Sequence, residues 1–126
     1  ELQRELGLSI VFVTHDIGAA AEIADRVAVM YGGRIVEQGT VADLLRAPRH
    51  PYTLALLKGR AHGAMRKGQR LETIPGSPPD LAALPPGCSF APRCSLAQPR
   101  CQAAVPNIAP VAPGHEVRCI RVEETQ

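Results

Sequence analysis

Proline distribution constrains this chain more than any other feature: ten of its twelve prolines lie between Pro75 and Pro113. Proline fixes φ and lacks a backbone N–H, so that stretch excludes long helices and favours extended polyproline segments and turns. All four cysteines fall in the same region, from Cys88 to Cys119. A stretch of about 50 residues with few large apolar side chains usually needs a metal, a disulfide or a larger neighbour to hold a fold. The composition shift near residue 75 is the natural domain boundary. The full 126 residues leave room for one ordinary domain, or a small one with an appended module.

Apolar residues make up 45% and charged residues 21%, a globular composition, but two Phe, two Tyr and no Trp leave the core to Val, Ile, Leu and Ala. The formal net charge of +2 is too balanced to indicate nucleic acid or an anionic membrane as a partner. No apolar run approaches a membrane span. The opening Glu1-Leu2-Gln3-Arg4-Glu5 has neither a start Met nor a signal-peptide pattern, and reads as a soluble cytoplasmic fragment that begins inside a helix.

Leu8-Ser9-Ile10-Val11-Phe12-Val13-Thr14 is short, β-branched and almost wholly apolar, which predicts an interior parallel strand covered on both faces. Asp16 is placed to cap a following helix through Gly18 to Ala24, with Asp25 at its end. Arg26 to Tyr31 and Arg34 to Gln38 flank Gly32-Gly33, whose tolerance of positive φ predicts a β-hairpin. Thr40 with Asp43 resembles a capping pair, Pro48 stops the helix so begun, and Pro51 suits the first turn of another through Leu57. Between Lys58 and Arg70 lie five basic residues, three glycines and no acid, which reads as a solvated linker or a weak anion surface. Arg70 to Ile74 could form one more strand.

The cysteine spacing is Cys88-x5-Cys94-x6-Cys101-x17-Cys119. Four thiolates converging from turns suit a [4Fe-4S] cluster, each iron taking one soft anionic ligand. Tetrahedral zinc ranks lower, because structural zinc sites usually include a close C-x2-4-C pair and none is present. Two disulfides or four unligated buried thiols also remain open. His115 could replace one ligand; the simpler reading is a surface histidine in the turn after Pro113-Gly114.

Thr14-His15-Asp16 directly follows the expected strand, and ligands of open α/β sheets bind beyond the carboxyl ends of strands. A histidine there can donate to a phosphate oxygen or orient a water, although polar residues in such turns often only satisfy backbone groups.

Taken together, Ile10 to Asp16 and Ala24 to Gly39 resemble the C-terminal third of an ABC-transporter ATPase subunit. His50-Pro51-Tyr52-Thr53, Pro75-Gly76-Ser77-Pro78-Pro79 and Gly87 to Cys94 are similar to the C-terminal extension of oligopeptide, dipeptide and nickel importer ATPases. The resemblance covers essentially the whole chain; one departure is Ser95, where the family often carries a proline. It implies an α/β fold: residues 1–58 as the end of a P-loop ATPase domain, 59–74 as a basic linker, and 75–126 as a cysteine-containing extension. His15 falls on the family's switch-loop histidine, which contacts the ATP γ-phosphate and helps position the hydrolytic water. Cys88, Cys94, Cys101 and Cys119 correspond to cysteines that hold an iron–sulfur cluster in some members, with zinc or disulfides as alternatives. The partners implied are transmembrane permease subunits, a second ATPase subunit and, indirectly, a solute-binding protein, at the cytoplasmic face of the bacterial inner membrane.

The chain has no G-x-x-x-x-G-K-[ST] loop, no glycine-rich signature helix and no acidic strand-end pair, so the ATP and Mg2+ chemistry is expected of a longer parent rather than of this chain alone. Two rivals remain at this point: a free-standing cysteine-ligated metal or redox module, and a pure interaction domain.

Overall fold

A computed structural model describes residues 5–14, 16–63 and 79–121, with residues 59–63 described by backbone alone. Asp16 opens helix α1 (Ile17–Ile23), its carboxylate accepting from the N–H groups of Gly18 and Ala19. Strands β1 (Arg26–Tyr31) and β2 (Arg34–Thr40) then form an antiparallel hairpin. Its turn residues Gly32 and Gly33 sit at φ 59° and 79°, the left-handed conformations that a two-residue hairpin turn demands. Thr40 caps helix α2 (Val41–Arg46) by accepting from Asp43 N–H. Helix α3 (Pro51–Gly63) starts on proline, which has no N–H to leave unsatisfied there.

Further along, a short 3-10 turn (Ala91–Arg93) and helix α4 (Pro99–Ala103) precede strands β3 (Ala109–Ala112) and β4 (His115–Val117). The four strands make one antiparallel sheet in the order β1-β2-β4-β3. The proline-rich stretch therefore adds two strands to a sheet begun far upstream. Pro110 is accommodated because β3 is an edge strand, where a missing N–H costs no interior ladder bond.

Two expectations change here. The sheet is antiparallel throughout, and residues 8–14 join no strand: Val11 and Val13 are 93% and 90% exposed. Strand structure requires hydrogen-bonded neighbours as well as an apolar sequence, and none is present for this run among the described residues. The third helix of the first half is longer than expected, α3 continuing through Gly63 into the basic segment. The rest of that segment and the possible strand at residues 70–74 lie outside the described residues.

The core forms where the two halves meet. Along β1, Val27, Val29 and Tyr31 face inward while Arg26, Ala28 and Met30 are exposed, the period of two expected of a half-buried strand. A bulge in β2 breaks that alternation: Val29 pairs with Glu37 and Met30 with Ile35, leaving Val36 as the extra residue. Consecutive residues Val36 and Glu37 are thereby both buried. Val29, Tyr31, Val36 and Leu44 pack with Phe90 from the cysteine-bearing stretch. Phe90 meets Tyr31, Tyr52 and His50 at ring-centroid distances of 5.2, 5.3 and 5.9 Å. Tyr31 and Tyr52 are 4.7 Å apart, edge to face. Arg93 Nη1 donates to the Tyr31 hydroxyl at 3.3 Å, a further tie between the hairpin and the cysteine loop.

Candidate functional site: a cavity ringed by four cysteines

Cys88, Cys94, Cys101 and Cys119 arrive from four different local structures and line one small cavity of about 20 Å³ that is partly open to solvent. Cys88 precedes the 3-10 turn, Cys94 ends it, Cys101 lies in α4, and Cys119 follows β4. Local backbone bonds fix the loops: Cys88 N–H donates to the Cys101 carbonyl at 2.8 Å, and Cys94 N–H to the Ala91 carbonyl at 3.2 Å. Gly87 is essential to that approach, since a Cβ there would stand 2.3 Å from the Cys101 carbonyl oxygen. The remaining wall is apolar, from Pro51, Phe90, Ala91, Leu96, Ala97, Pro106 and Ile120 with carbon atoms of His50 and Arg121.

All four cysteines are free thiols. Burial pushes the Cys94 and Cys119 thiols up from their ordinary range, and the neighbouring thiols add to the effect because thiolates close together repel. Backbone N–H groups act the other way. Leu96 N–H donates to Cys94 Sγ, Gln98 N–H to Cys101 Sγ and Arg121 N–H to Cys119 Sγ, each at 3.4 Å. Three of the four sulfurs thus already receive the kind of N–H bond that stabilises anionic sulfur. Arg121 Nη1 also donates to the Leu96 carbonyl, linking the Cys119 and Cys94 loops.

No group of three or more His, Cys, Asp or Glu side chains is arranged to hold a metal ion among the described residues. The expected [4Fe-4S] site at Cys88, Cys94, Cys101 and Cys119 and its zinc alternative are therefore both without support in the arrangement of the described residues.

His115 is neither a ligand candidate nor a surface residue. It is 2% exposed, and its Nε2 lies 2.5 Å from Oε2 of the fully buried Glu37. Glu37 also accepts from Arg49 N–H and His50 N–H, both at 2.9 Å. One carboxylate on β2 therefore ties together β4 and the approach to α3. His50 is itself buried, with Nδ1 accepting from Tyr52 N–H at 3.0 Å. Burial lowers its pKa from 6.5 to about 4, partly opposed by the Arg118 backbone carbonyl. Sequence reading missed this cluster because Glu37 and His115 are 78 residues apart and neither pattern nor spacing links them. The available signal was Glu37 itself, an acid directly after Ile35-Val36 in a strand.

His15, the expected γ-phosphate contact, lies outside the described residues. The described residues contain no helix long and apolar enough to cross a membrane.

Comparison with known proteins decides the family. Residues 36–101 match the family described as oligopeptide/dipeptide transporter, C-terminal region. The chain belongs to that family. It is 54% identical over 129 residues to a putative peptide import ATP-binding protein of Brucella ovis, an alignment covering 98% of this chain and 38% of the relative. Two proteins named oligopeptide transport ATP-binding protein OppD are also similar. That of Mycobacterium tuberculosis is 49% identical over 117 residues, covering 93% of this chain and 19% of its own length. That of Bacillus subtilis is 44% identical over 118 residues, covering 94% and 33%. The chain thus spans well under half the length of these relatives. The matched segment runs from Val36 in β2 through Tyr52 and Phe90 to Cys101, so it includes three of the four cysteines but not Tyr31 of β1.

Proposed function

We propose that this chain is the C-terminal part of an ATP-hydrolysing subunit that drives import of short peptides, or of a related small solute such as nickel, across the bacterial inner membrane. The observation that carries the reading is the family match across residues 36–101, joined to relatives named for peptide import and ATP binding. In this reading residues 1–58 end the ATPase domain, 59–74 connect, and 75–126 form the extension. The parent would bind ATP and Mg2+ through motifs outside this chain, with His15 contacting the γ-phosphate. Its partners would be permease subunits and a second ATPase subunit, with a solute-binding protein acting indirectly, at the cytoplasmic membrane face. A free-standing redox module is disfavoured because β4 pairs with β2 and Phe90 packs on Tyr31, which make the hairpin and the cysteine stretch one packed unit.

Within the same reading, Cys88, Cys94, Cys101 and Cys119 would hold a [4Fe-4S] cluster. Support comes from the donor set: four free thiols around one apolar cavity, three of them accepting backbone N–H bonds. Such a cluster would supply a structural tie and a one-electron redox couple. The chain's own residues supply the N–H bonds and hold the loops.

The function is tested in the full-length protein that carries this chain, reconstituted with its permease. His15→Ala is expected to lower ATP turnover by about 100-fold, the scale of a lost positioning or acid–base group, while ATP binding is retained. Peptide uptake should fall with it. Undiminished turnover in that variant would remove His15 from the phosphate site, and a wild-type assembly showing no ATP-driven peptide or nickel uptake would overturn the transport reading.

A further inference from the structure

We propose that Cys88 and Cys101 are a thiol–disulfide pair: exchange with a small-molecule disulfide such as oxidised glutathione joins them, and leaves Cys94 and Cys119 reduced. The proposal goes beyond the cluster reading, since it needs two thiols rather than four and no metal. Backbone proximity selects the pair. Cys88 N–H donates to the Cys101 carbonyl at 2.8 Å. A bond of this kind sets the two Cα atoms about 5.5 Å apart, within the roughly 4.4–6.8 Å that a disulfide spans. Gly87 permits that approach, because a Cβ there would collide with the Cys101 carbonyl oxygen. Both cysteines also line the same cavity of about 20 Å³, so their side chains border one small space.

The two thiols differ in the way exchange requires. Cys88 is half-buried on a cavity partly open to solvent, where a small disulfide can reach it. Cys101 is 8% exposed, and its Sγ accepts from Gln98 N–H at 3.4 Å, a bond that favours the thiolate. Cys94 and Cys119 are poorer partners. Burial pushes both of their thiols up, and the thiolate is the attacking species. Their loops are bridged through the Arg121 side chain to the Leu96 carbonyl.

The step balances with the small disulfide as its oxidant. The Cys88 thiolate attacks one of its sulfurs, forming a mixed disulfide and releasing one thiol. The Cys101 thiolate then attacks Cys88 Sγ; the Cys88–Cys101 bond forms as the mixed bond breaks, and the second thiol leaves. The protein loses two electrons and two protons, which convert the small disulfide to two thiols.

The experiment uses the full-length protein that carries this chain, with iron measured on the same sample. The protein is incubated with excess oxidised glutathione, free thiols are alkylated, and tryptic peptides are mapped by mass spectrometry. Cleavage after Arg70, Arg93, Arg100, Arg118 and Arg121 places the four cysteines on four peptides, 71–93, 94–100, 101–118 and 119–121. Peptides 71–93 and 101–118 should be joined, about tenfold in excess over any other pairing, with Cys94 and Cys119 alkylated. Cys101→Ser should stop at the glutathione mixed disulfide on Cys88, while Cys94→Ser should form the Cys88–Cys101 link at the wild-type rate. A dominant Cys94–Cys119 link, or several pairings in comparable amounts, overturns the proposal. So does loss of the link in Cys94→Ser, or a Cys88 link to another cysteine at the wild-type rate in Cys101→Ser. Four fully alkylated cysteines overturn it whatever the iron content, and that content reports separately on the cluster reading.

Discussion

Two polar assemblies lie on either side of the aromatic core, and they differ in completeness. Around Glu37, a buried carboxylate accepts from two backbone N–H groups and faces the His115 ring, so its charge is matched entirely within the chain. Around the cysteines, four free thiols line a small, partly open apolar cavity, and backbone N–H groups, with the Arg121 charge at Cys94, offset the cost of making them anionic. A self-sufficient polar cluster specifies a fold, whereas a set of soft donors on an apolar wall is where the proposed ligand would have to bind. The contrast assigns the first assembly to architecture and leaves the second as the place for the proposed cofactor.

The largest effect that would break this contrast is on the closed side. Glu37→Ala leaves His115 and the N–H groups of Arg49 and His50 buried without their acceptor, and should destabilise the protein by about 3–5 kcal/mol. Urea denaturation of the metal-free chain measures this directly. A loss below about 1 kcal/mol would mean that water reaches the cluster and that it is not closed.

Next in size is the pH response of the same region. The buried His50 stays neutral down to about pH 4, whereas in the unfolded chain it protonates near 6.5. Above 6.5 both states are neutral and its full contribution to stability is present. As pH falls toward 4 the unfolded chain takes up the proton first, so stability declines by about 3 kcal/mol over that window. Denaturation at pH 7.5 and 4.5 should show the decline in wild type and a shallower one in His50→Gln. Identical declines in both proteins would place the titrating group elsewhere.

What was legible in the sequence was what is decided locally. The Gly32-Gly33 turn, the Asp16 and Thr40 caps and the proline start of α3 each rest on residues within a few positions of one another, and each forms as the sequence implies. Residues 8–14 show the limit. Their composition is that of a strand, but ladder bonds come from neighbours, and the run is exposed. The proline-rich stretch shows the reverse, since Pro110 sits in an edge strand whose partner strand pairs with β2 far upstream. His115 could be read as a turn residue or a ligand until the fold brought Glu37 against it. The four cysteines were visible as a set by residue type, while Arg121 and Gly87 gained meaning only from the loops they hold.

The smallest of the predicted effects tests the open side. Gly87 lies where the Cys88 loop crosses the α4 backbone, and an added Cβ would meet the Cys101 carbonyl oxygen at 2.3 Å and Gln102 backbone carbons at 2.6 Å. Backbone atoms cannot yield as a flexible side chain can, so Gly87→Ala must push the two loops apart and weaken the 2.8 Å bond from Cys88 N–H to the Cys101 carbonyl. The expected cost is about 1–3 kcal/mol in the metal-free chain, the range for overpacking a tight site. Both displaced cysteines line the cavity, so on the proposed cluster reading iron incorporation should fall as well, while the His115 ring signals in an NMR spectrum keep their wild-type shifts because the Glu37 cluster is untouched. Full iron content in Gly87→Ala would show that the cavity tolerates displaced ligands and is less preorganised than the closed cluster is. Altered His115 signals would show that the two assemblies are coupled through Phe90, and the division between architecture and ligand site would then no longer hold.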